Sequence, residues 1–412
     1  MKDMFRFLRE LKGNAKTSLV LDPMWCLPFN MYAPFVALYM FSLGLGDFEI
    51  GLLLSIGTFA NVIMALLSGV VTDKFGRKNT LIIADFVGWN IPVLIWAFAQ
   101  NFWWFLVAAL LNSFSQFGMV AFECTWQDDL EEHKFSRTVS WFHISWHITI
   151  LFTLISGYLV AQHTVVPVMR GLYLFAFVLM GARLVILQFL LKETNRGKER
   201  MEATKDKSIV KLLSGYKEVI LQMRKSKGMV QMLILLPMVH IYIMVTSTFF
   251  GLYATQNLGI GEYFLAYFPV IRSVITLMFF FFIQTPMYRF KAQHVMGIGL
   301  TLYILSHSLL LIAPPQNMIW LIIYAVIDAC AASMFLPRFD TQLFSSLDDK
   351  ERARCRALIT VVTLAIASPF GALAGFLANI DRRLPFMLNM IIFVCMIYFV
   401  VRTQNKNEPV SH

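Results

Sequence analysis

Charged residues are scarce in this chain: Asp, Glu, Lys and Arg make up 15% of its 412 residues, against about 25% in ordinary soluble domains. Cysteine is rarer still, and its five residues lie in or beside apolar runs, so no disulfide framework is expected. A Walker loop, a metalloprotease motif and a nucleophile elbow are all missing, and no long polar domain could house them. We therefore do not expect an enzyme, with a membrane-embedded acyl or glycosyl transferase as the alternative from that class.

Apolar residues are in excess, at 58% of the chain with a mean hydropathy of +0.64. About 20 such residues in a row cross the hydrocarbon core of a bilayer as a helix. Twelve runs of this kind lie near 18–43, 50–71, 80–99, 102–124, 138–161, 168–190, 230–255, 262–285, 294–312, 317–336, 357–377 and 384–402. They are too long and too uniform for β-barrel strands. The predicted fold is an all-α membrane protein with twelve transmembrane helices.

The basic residues indicate how the helices are oriented. With the N-terminus inside, 30 of the 35 Lys and Arg residues fall in cytoplasmic segments. The opposite side holds Arg170, Arg382 and Arg383, and Arg183 and Arg272 fall within helices. This asymmetry follows the positive-inside rule, so the net charge of +10 reflects topology and no nucleic-acid surface is expected. We predict a multi-pass protein of the cell (cytoplasmic) membrane with both termini cytoplasmic.

A long polar stretch divides the helices into six and six. The predicted parts are a cytoplasmic amphipathic segment over 1–17, a six-helix bundle over 18–190, a cytoplasmic central loop with an amphipathic helix over 191–229, a second bundle over 230–402 and a cytoplasmic tail over 403–412. The loops at 130–137 and 347–354 share a Leu, an acidic pair and an Arg at an offset of 217 residues. Such an echo is typical of duplicated halves.

A short charged turn lies between the second and third apolar runs, with the pattern Gly69-x-x-x-Asp73-Lys74-x-Gly76-Arg77-Lys78. It resembles the signature loop of the major facilitator superfamily. The resemblance implies two pseudo-symmetric six-helix bundles, transport by alternating access, a small-molecule substrate, no cofactor and a monomer. An ordinary basic loop that obeys the positive-inside rule is the alternative.

The resemblance also implies a role for this loop in gating. Gly69 would let helices 2 and 11 approach closely, and Asp73 would be favoured by the dipole of helix 3. Gly76 would permit a tight turn, while Arg77 would pair with an acid of the neighbouring loop. The candidate acids are Asp128, Asp129 and Glu132. The full predicted gating set is Gly69, Asp73, Gly76, Arg77, Lys78, Glu123, Asp129 and Arg137.

One departure from the superfamily bears on the direction of transport. Drug–proton antiporters of this superfamily often carry a glycine–proline motif in helix 5, and the corresponding stretch at 151–158 has no proline. A related pattern stands in helix 11, at 368–375. This difference makes drug efflux the second choice.

Charges at membrane depth are costly unless they face a cavity or a partner. Arg272 in helix 8 and Asp328 in helix 10 are such charges. Together they could bind an anionic or polyhydroxylated solute on Arg272 while Asp328 takes a proton. The alternative is a purely structural ion pair between two helices.

Polar residues of the first bundle supply further candidates. His143 and His147 stand one turn apart on helix 5, and Asn112 and Gln116 on helix 4. The histidine spacing suits a metal, but no third ligand is adjacent, so no metal is expected. Hydrogen bonding to substrate, a proton relay and plain helix packing all stay open for these residues. The remaining candidates for the substrate cavity are Asn30, His240 and Trp146.

The predicted function is secondary active transport of a small solute by alternating access. Within it, a symporter for proton-coupled uptake of a polar solute, sugar-like or anionic, comes first. Proton-driven efflux of amphipathic, drug-like compounds is the alternative. A non-transporting membrane sensor on the same fold is a further possibility.

Overall fold

The computed structural model of the chain describes residues 7, 10–208, 227–283, 287, 289–345 and 352–404. Several predictions concern residues outside this set: most of the amphipathic segment over 1–17, the helix expected within 209–226, and nearly all of the C-terminal tail. The side chain of Glu132 also lies outside it.

Eleven helices among the described residues are long and apolar enough to cross a membrane, and a twelfth apolar helix is shorter. In chain order, α1 to α12 are Gly13–Ser42, Asp47–Phe75, Arg77–Phe98, Phe102–Gln127, His133–His163, Val165–Leu190, Val230–Asn257, Glu262–Ile283, Ala292–Leu311, Met318–Gln342, Leu358–Ile380 and Leu384–Val400. The described residues contain no strand. The predicted all-α membrane fold is confirmed. Several helices extend past their apolar runs because polar first and last turns continue them.

The connections alternate between two ends of the bundle. The short-loop end carries the connections at 43–46, 99–101, 164, 258–261, 312–317 and 381–383. The basic end carries those at 76, 128–132 and 191–194, followed by a short helix over Asn195–Thr204. We call α1 to α6 the first half and α7 to α12 the second half.

The two halves pack closely at the short-loop end. In the crossing of α2 and α11, a Cβ on Gly51 would lie 2.6 Å from the Cα of Gly375, and the backbone N–H of Ala372 donates to Ser55 Oγ at 2.6 Å. Only glycine permits such an approach of two backbones. The sequence-based assignment placed this approach at Gly69, which lies further along α2 and is half-buried. The contacts described for this crossing lie at the opposite end of α2 from the signature loop, and the role expected of Gly69 stays a prediction.

A second crossing joins the halves at the same end. Gly157 of α5 packs against the start of α8, where a Cβ on it would lie 2.8 Å from the carbonyl oxygen of Tyr263. Inside the bundle, α1 tightens over Ala33–Phe35, where Pro34 cannot donate a backbone hydrogen bond. This irregular turn faces the second half, and it forms part of the wall of a cavity there.

Candidate functional site

A cavity of about 260 Å³ lies between the irregular turn of α1 and helices α7, α8 and α10 of the second half. Arg272 and Asp328 both line it, so the structure brings together the two charges that the sequence singled out. The other lining residues are mostly apolar or aromatic: Ala33, Pro34, Tyr242, Ile243, Thr246, Ser247, Phe250, Gly251, Leu265, Phe268, Pro269, Tyr324 and Ala325.

Arg272 and Asp328 form a loose ion pair. One guanidinium nitrogen of Arg272 lies 3.5 Å from Asp328 Oδ2, and the hydroxyl of Tyr242 donates to Asp328 Oδ1 at 2.9 Å. The side chain of Asp328 is 6% exposed, whereas that of Arg272 is 38% exposed. Because guanidinium has five N–H donors, Arg272 presents further donors to the cavity while Asp328 sits behind it.

Polar residues behind the cavity hold the wall in place. The Nδ2 group of Asn389 donates to Thr246 Oγ1 at 3.1 Å and lies 3.5 Å from His307 Nε2. His307 Nδ1 lies 3.1 Å from the carbonyl oxygen of Tyr303. The sequence-based reasoning missed His307 and Asn389. Their signal was a polar residue buried inside an apolar run, the same signal that identified Arg272 and Asp328.

The α5 histidines occupy different environments. His147 Nδ1 lies 2.8 Å from the hydroxyl of Ser273, which directly follows Arg272 in the chain. This contact ties the first half to the second next to the cavity. His143 is exposed, one turn nearer the basic end.

The polar residues of α1 and α4 bond to neighbouring helices and are not among the residues lining the cavity. Asn30 donates to the hydroxyl of Thr149 at 2.9 Å, and Asn112 donates to the carbonyl oxygen of Gly88 at 2.6 Å. Gln116 donates to Asn61 on α2 at 3.3 Å. These contacts favour the helix-packing interpretation for all three predicted residues.

The remaining cavity candidates also lie off the lining. Trp146 is half-buried in an aromatic cluster of the first half, with its ring centroid 5.7 Å from that of Phe29 and 6.4 Å from that of Trp25. His240 is half-buried on α7, two residues before Tyr242. Both charged residues that are described as lining the cavity, Arg272 and Asp328, therefore belong to the second half.

The signature loop folds around Arg77. Its guanidinium bonds Asp73 at 3.0 Å and Asp128 at 3.1 Å, so Asp128 is the acid of the neighbouring loop that it meets. Gly76 has φ of +84°, as a tight turn requires. Of the other predicted gating residues, Asp129 and Arg137 are exposed, and Lys78 and Glu123 are half-buried.

Glu193, which was not predicted, completes this loop. Its two carboxylate oxygens accept the backbone N–H groups of Arg77 at 3.0 Å and Lys78 at 3.1 Å. These are the unpaired donors of the first turn of α3, and a carboxylate there is favoured by the helix dipole. The segment after α6 thus closes the loop between α2 and α3.

Comparison with known proteins agrees with this architecture. Residues 29–388 match the family model described as "MFS_1 like family". An uncharacterized MFS-type transporter, YqjV of Bacillus subtilis (strain 168), is 32% identical over 84 residues, a match that spans only 20% of this chain and 20% of that protein.

Two solved transporters share the fold. The nucleoside transporter NupG superposes with a TM-score of 0.71 at 16% identity, over 96% of this chain and 100% of that one. A POT family transporter in complex with a thioalcohol-conjugated peptide superposes with a TM-score of 0.72 at 12% identity, over 95% of each chain. At such identities the likeness concerns the fold, which is that predicted from the signature loop. The prediction of a transporter rather than an enzyme is confirmed.

Proposed function

The chain belongs to the MFS_1 like family and is an MFS-type transporter, and from this premise we propose that it performs proton-coupled uptake of a small polar solute. The observation that carries the proposal is the Arg272–Asp328 pair, which stands in a cavity between helices of a two-half transporter fold. A buried carboxylate beside an arginine suits coupling, because substrate and proton can both change its pairing.

In this proposal the two halves rock around the cavity. The close crossings of α2 with α11 and of α5 with α8 seal the short-loop end, and the Arg77 network belongs to the gate at the basic end. The basic end is cytoplasmic by the positive-inside rule. The protein then lies in the cell membrane with both termini cytoplasmic, and it works as a monomer.

A transport assay in proteoliposomes tests the proposal. The panel contains sugars, organic anions, nucleosides and short peptides, since NupG is a nucleoside transporter and the POT protein was solved with a peptide conjugate. Each solute is offered with and without an imposed pH gradient. We expect gradient-driven accumulation of one polar solute in the wild type. Asp328→Asn should lose that accumulation and still bind the solute, whereas the control Asp381→Asn, at an exposed site, should behave as wild type.

Efflux of amphipathic compounds is the second candidate, and the aromatic wall of the cavity favours it. If no solute accumulates but a lipophilic dye is expelled, efflux replaces uptake. If ligands bind and nothing moves in either direction, the protein is a sensor on a transporter fold. If accumulation survives Asp328→Asn, the carboxylate is not the coupling group.

A further inference from the structure

The cavity has an aromatic layer and a charged layer, because α8 and α10 each place an aromatic and a charged lining residue one turn apart. Arg272 follows Phe268 by four residues on α8, and Asp328 follows Tyr324 by four residues on α10. Four residues rise about 6 Å along a helix. Both helices run from the short-loop end toward the basic end, so the charged pair lies nearer the basic end and the two rings lie nearer the short-loop end.

Helix α7 runs the opposite way and repeats the same order. Tyr242, which bonds Asp328, precedes Phe250 by two turns. The ring of Phe250 stacks on Tyr324 with centroids 5.3 Å apart and meets Phe268 edge-on at 4.8 Å. Three helices thus build an aromatic layer on the side of the short-loop end and a charged layer on the side of the basic end.

Among the described residues that line the cavity, Arg272 is the one cation offered to a ligand. Both oxygens of Asp328 have partners, in Tyr242 and Arg272, whereas the more exposed guanidinium reaches into the cavity. Most of the remaining wall is apolar. A sugar would give up its hydrogen bonds to water there with few replacements, at a cost of about 1–3 kcal/mol for each unpaired group. A carboxylate or sulfonate on a flat apolar body also loses hydration, but it is a single polar group, and pairing with Arg272 offsets that cost.

From this arrangement we infer that the cavity binds an amphipathic organic monoanion, whose anionic group pairs with Arg272 and whose flat apolar body lies against Phe250, Phe268 and Tyr324. The inference rests on the proposed function, in that the cavity is taken as the transport site. It narrows the solute from sugar-like or anionic to a monoanion of aromatic or similarly flat shape.

The same geometry gives a proton balance. The ligand anion and Asp328 compete for Arg272, so ligand binding is favoured when a proton forms an O–H bond at Asp328 Oδ2. One proton and one monoanion then enter together, and both leave when Asp328 pairs with Arg272 again. The titratable and charged groups packed around Asp328 are Arg272, Tyr242, Tyr303, His307 and Tyr324.

Calorimetric binding to the purified full chain in detergent tests the inference without the leak of weak acids through a bilayer. The probes are phenylacetate, its neutral amide phenylacetamide, the permanently charged phenylmethanesulfonate, the hydrophilic anion gluconate, and glucose. We expect both aromatic anions to bind at least about tenfold more tightly than the amide, because a charge-assisted hydrogen bond contributes about that much. Gluconate and glucose should bind at least as weakly as the amide.

Variants then test three things separately: the contact with the anionic group, the contact with the apolar body, and the uptake of a proton. Arg272→Gln should reduce phenylacetate affinity at least about tenfold and leave phenylacetamide unchanged, while Arg289→Gln, at an exposed site, should change neither. Phe250→Leu should weaken the binding of phenylacetate more than that of acetate, which is added here as an anion without a ring. Titrations in buffers of different ionisation enthalpy should show about one proton taken up per phenylacetate, lost in Asp328→Asn and kept in His294→Asn, at an exposed site.

Several results would overturn the inference. Gluconate or glucose binding as tightly as phenylacetate would remove the amphipathic requirement, and equal binding of the amide would remove the anionic one. Failure of every probe to bind the folded protein would reject the ligand class. Gradient-driven accumulation of a neutral sugar would also reject it while the proposed symport stands. Phenylacetate binding with no transport of any solute would reject the proposed function and keep the ligand assignment.

Discussion

Asp47 and Arg382 form an ion pair that joins the two halves of the bundle at the short-loop end. The guanidinium contacts both carboxylate oxygens, with two contacts at 2.9 Å and one at 3.2 Å. Asp47 begins α2, and Arg382 lies between α11 and α12, with its guanidinium carbon 5.0 Å from the ring centroid of Phe41. Compared with the loose Arg272–Asp328 pair, this pair is shorter and makes more contacts. Under the proposed rocking of the two halves it holds the short-loop end closed, and we call this its fastener role.

Breaking this pair should open the short-loop end more often. We expect Arg382→Gln to disfavour the closed arrangement by about 2 kcal/mol, the usual contribution of hydrogen bonds to charged groups. Spin labels on cysteines introduced at Gln100 and Ile312, which are exposed on opposite halves at this end, report the distance by double electron–electron resonance. The long-distance population should grow in the variant.

The double variant of Asp47 and Arg382 is the matched control for this experiment. Asp47→Asn combined with Arg382→Gln should shift the distances no more than the stronger single change, because both remove one interaction. Additive shifts would show that the two residues act separately, and the fastener role would then be wrong.

The crossing of α2 and α11 should not tolerate a single added methyl group. Gly51→Ala would place a Cβ against the backbone of Gly371 and Gly375, and we expect a loss of about 1–3 kcal/mol as the helices move apart. Thermal unfolding in one detergent measures it. Gly297→Ala on α9 is the control, since no heavy atom lies within 4 Å of its added Cβ. An unchanged transition for Gly51→Ala would mean that the crossing is looser than described.

The first turn of α3 should depend on a residue from outside its helix. Glu193→Ala removes the acceptor for two backbone N–H groups, and we expect a loss of about 1–2 kcal/mol, as for a helix cap. Glu193→Gln keeps one acceptor oxygen and should lose less. Thermal unfolding measures both against Glu199→Ala, an exposed acid on the short helix that follows. Equal losses for Glu193→Ala and Glu199→Ala would contradict the capping role.

Sequence reasoning reached the helices and the charged pair for the same physical reason. A bilayer enforces long apolar runs, so a charge within one, such as Arg272 or Asp328, stands out. The same rule could have found Asn389 and His307, which interrupt the apolar runs of α12 and α9.

Rotation of the helices lay beyond such reasoning. Asn30 and Gln116 were predicted to contact the substrate, yet each forms a hydrogen bond to a neighbouring helix. Spacing along one helix says which residues share a face, but the partner of that face is set by packing between helices distant in sequence. Glu193 was missed for the same reason, since its contacts with Arg77 and Lys78 cross more than a hundred residues.

The contact between His147 and Ser273 separates a structural role of the α5 histidines from a proton-carrying one. We expect His147→Asn, whose amide can keep the bond to Ser273, to retain gradient-driven uptake. His147→Leu removes the imidazole partner of the buried Ser273 hydroxyl, which keeps the backbone carbonyl of His147 at 3.3 Å, and it should cost about 1 kcal/mol of stability or less without abolishing the gradient dependence. The exposed His143→Asn serves as control. If His147→Asn loses proton coupling while Asp328→Asn keeps it, the coupling group lies on α5 rather than in the cavity.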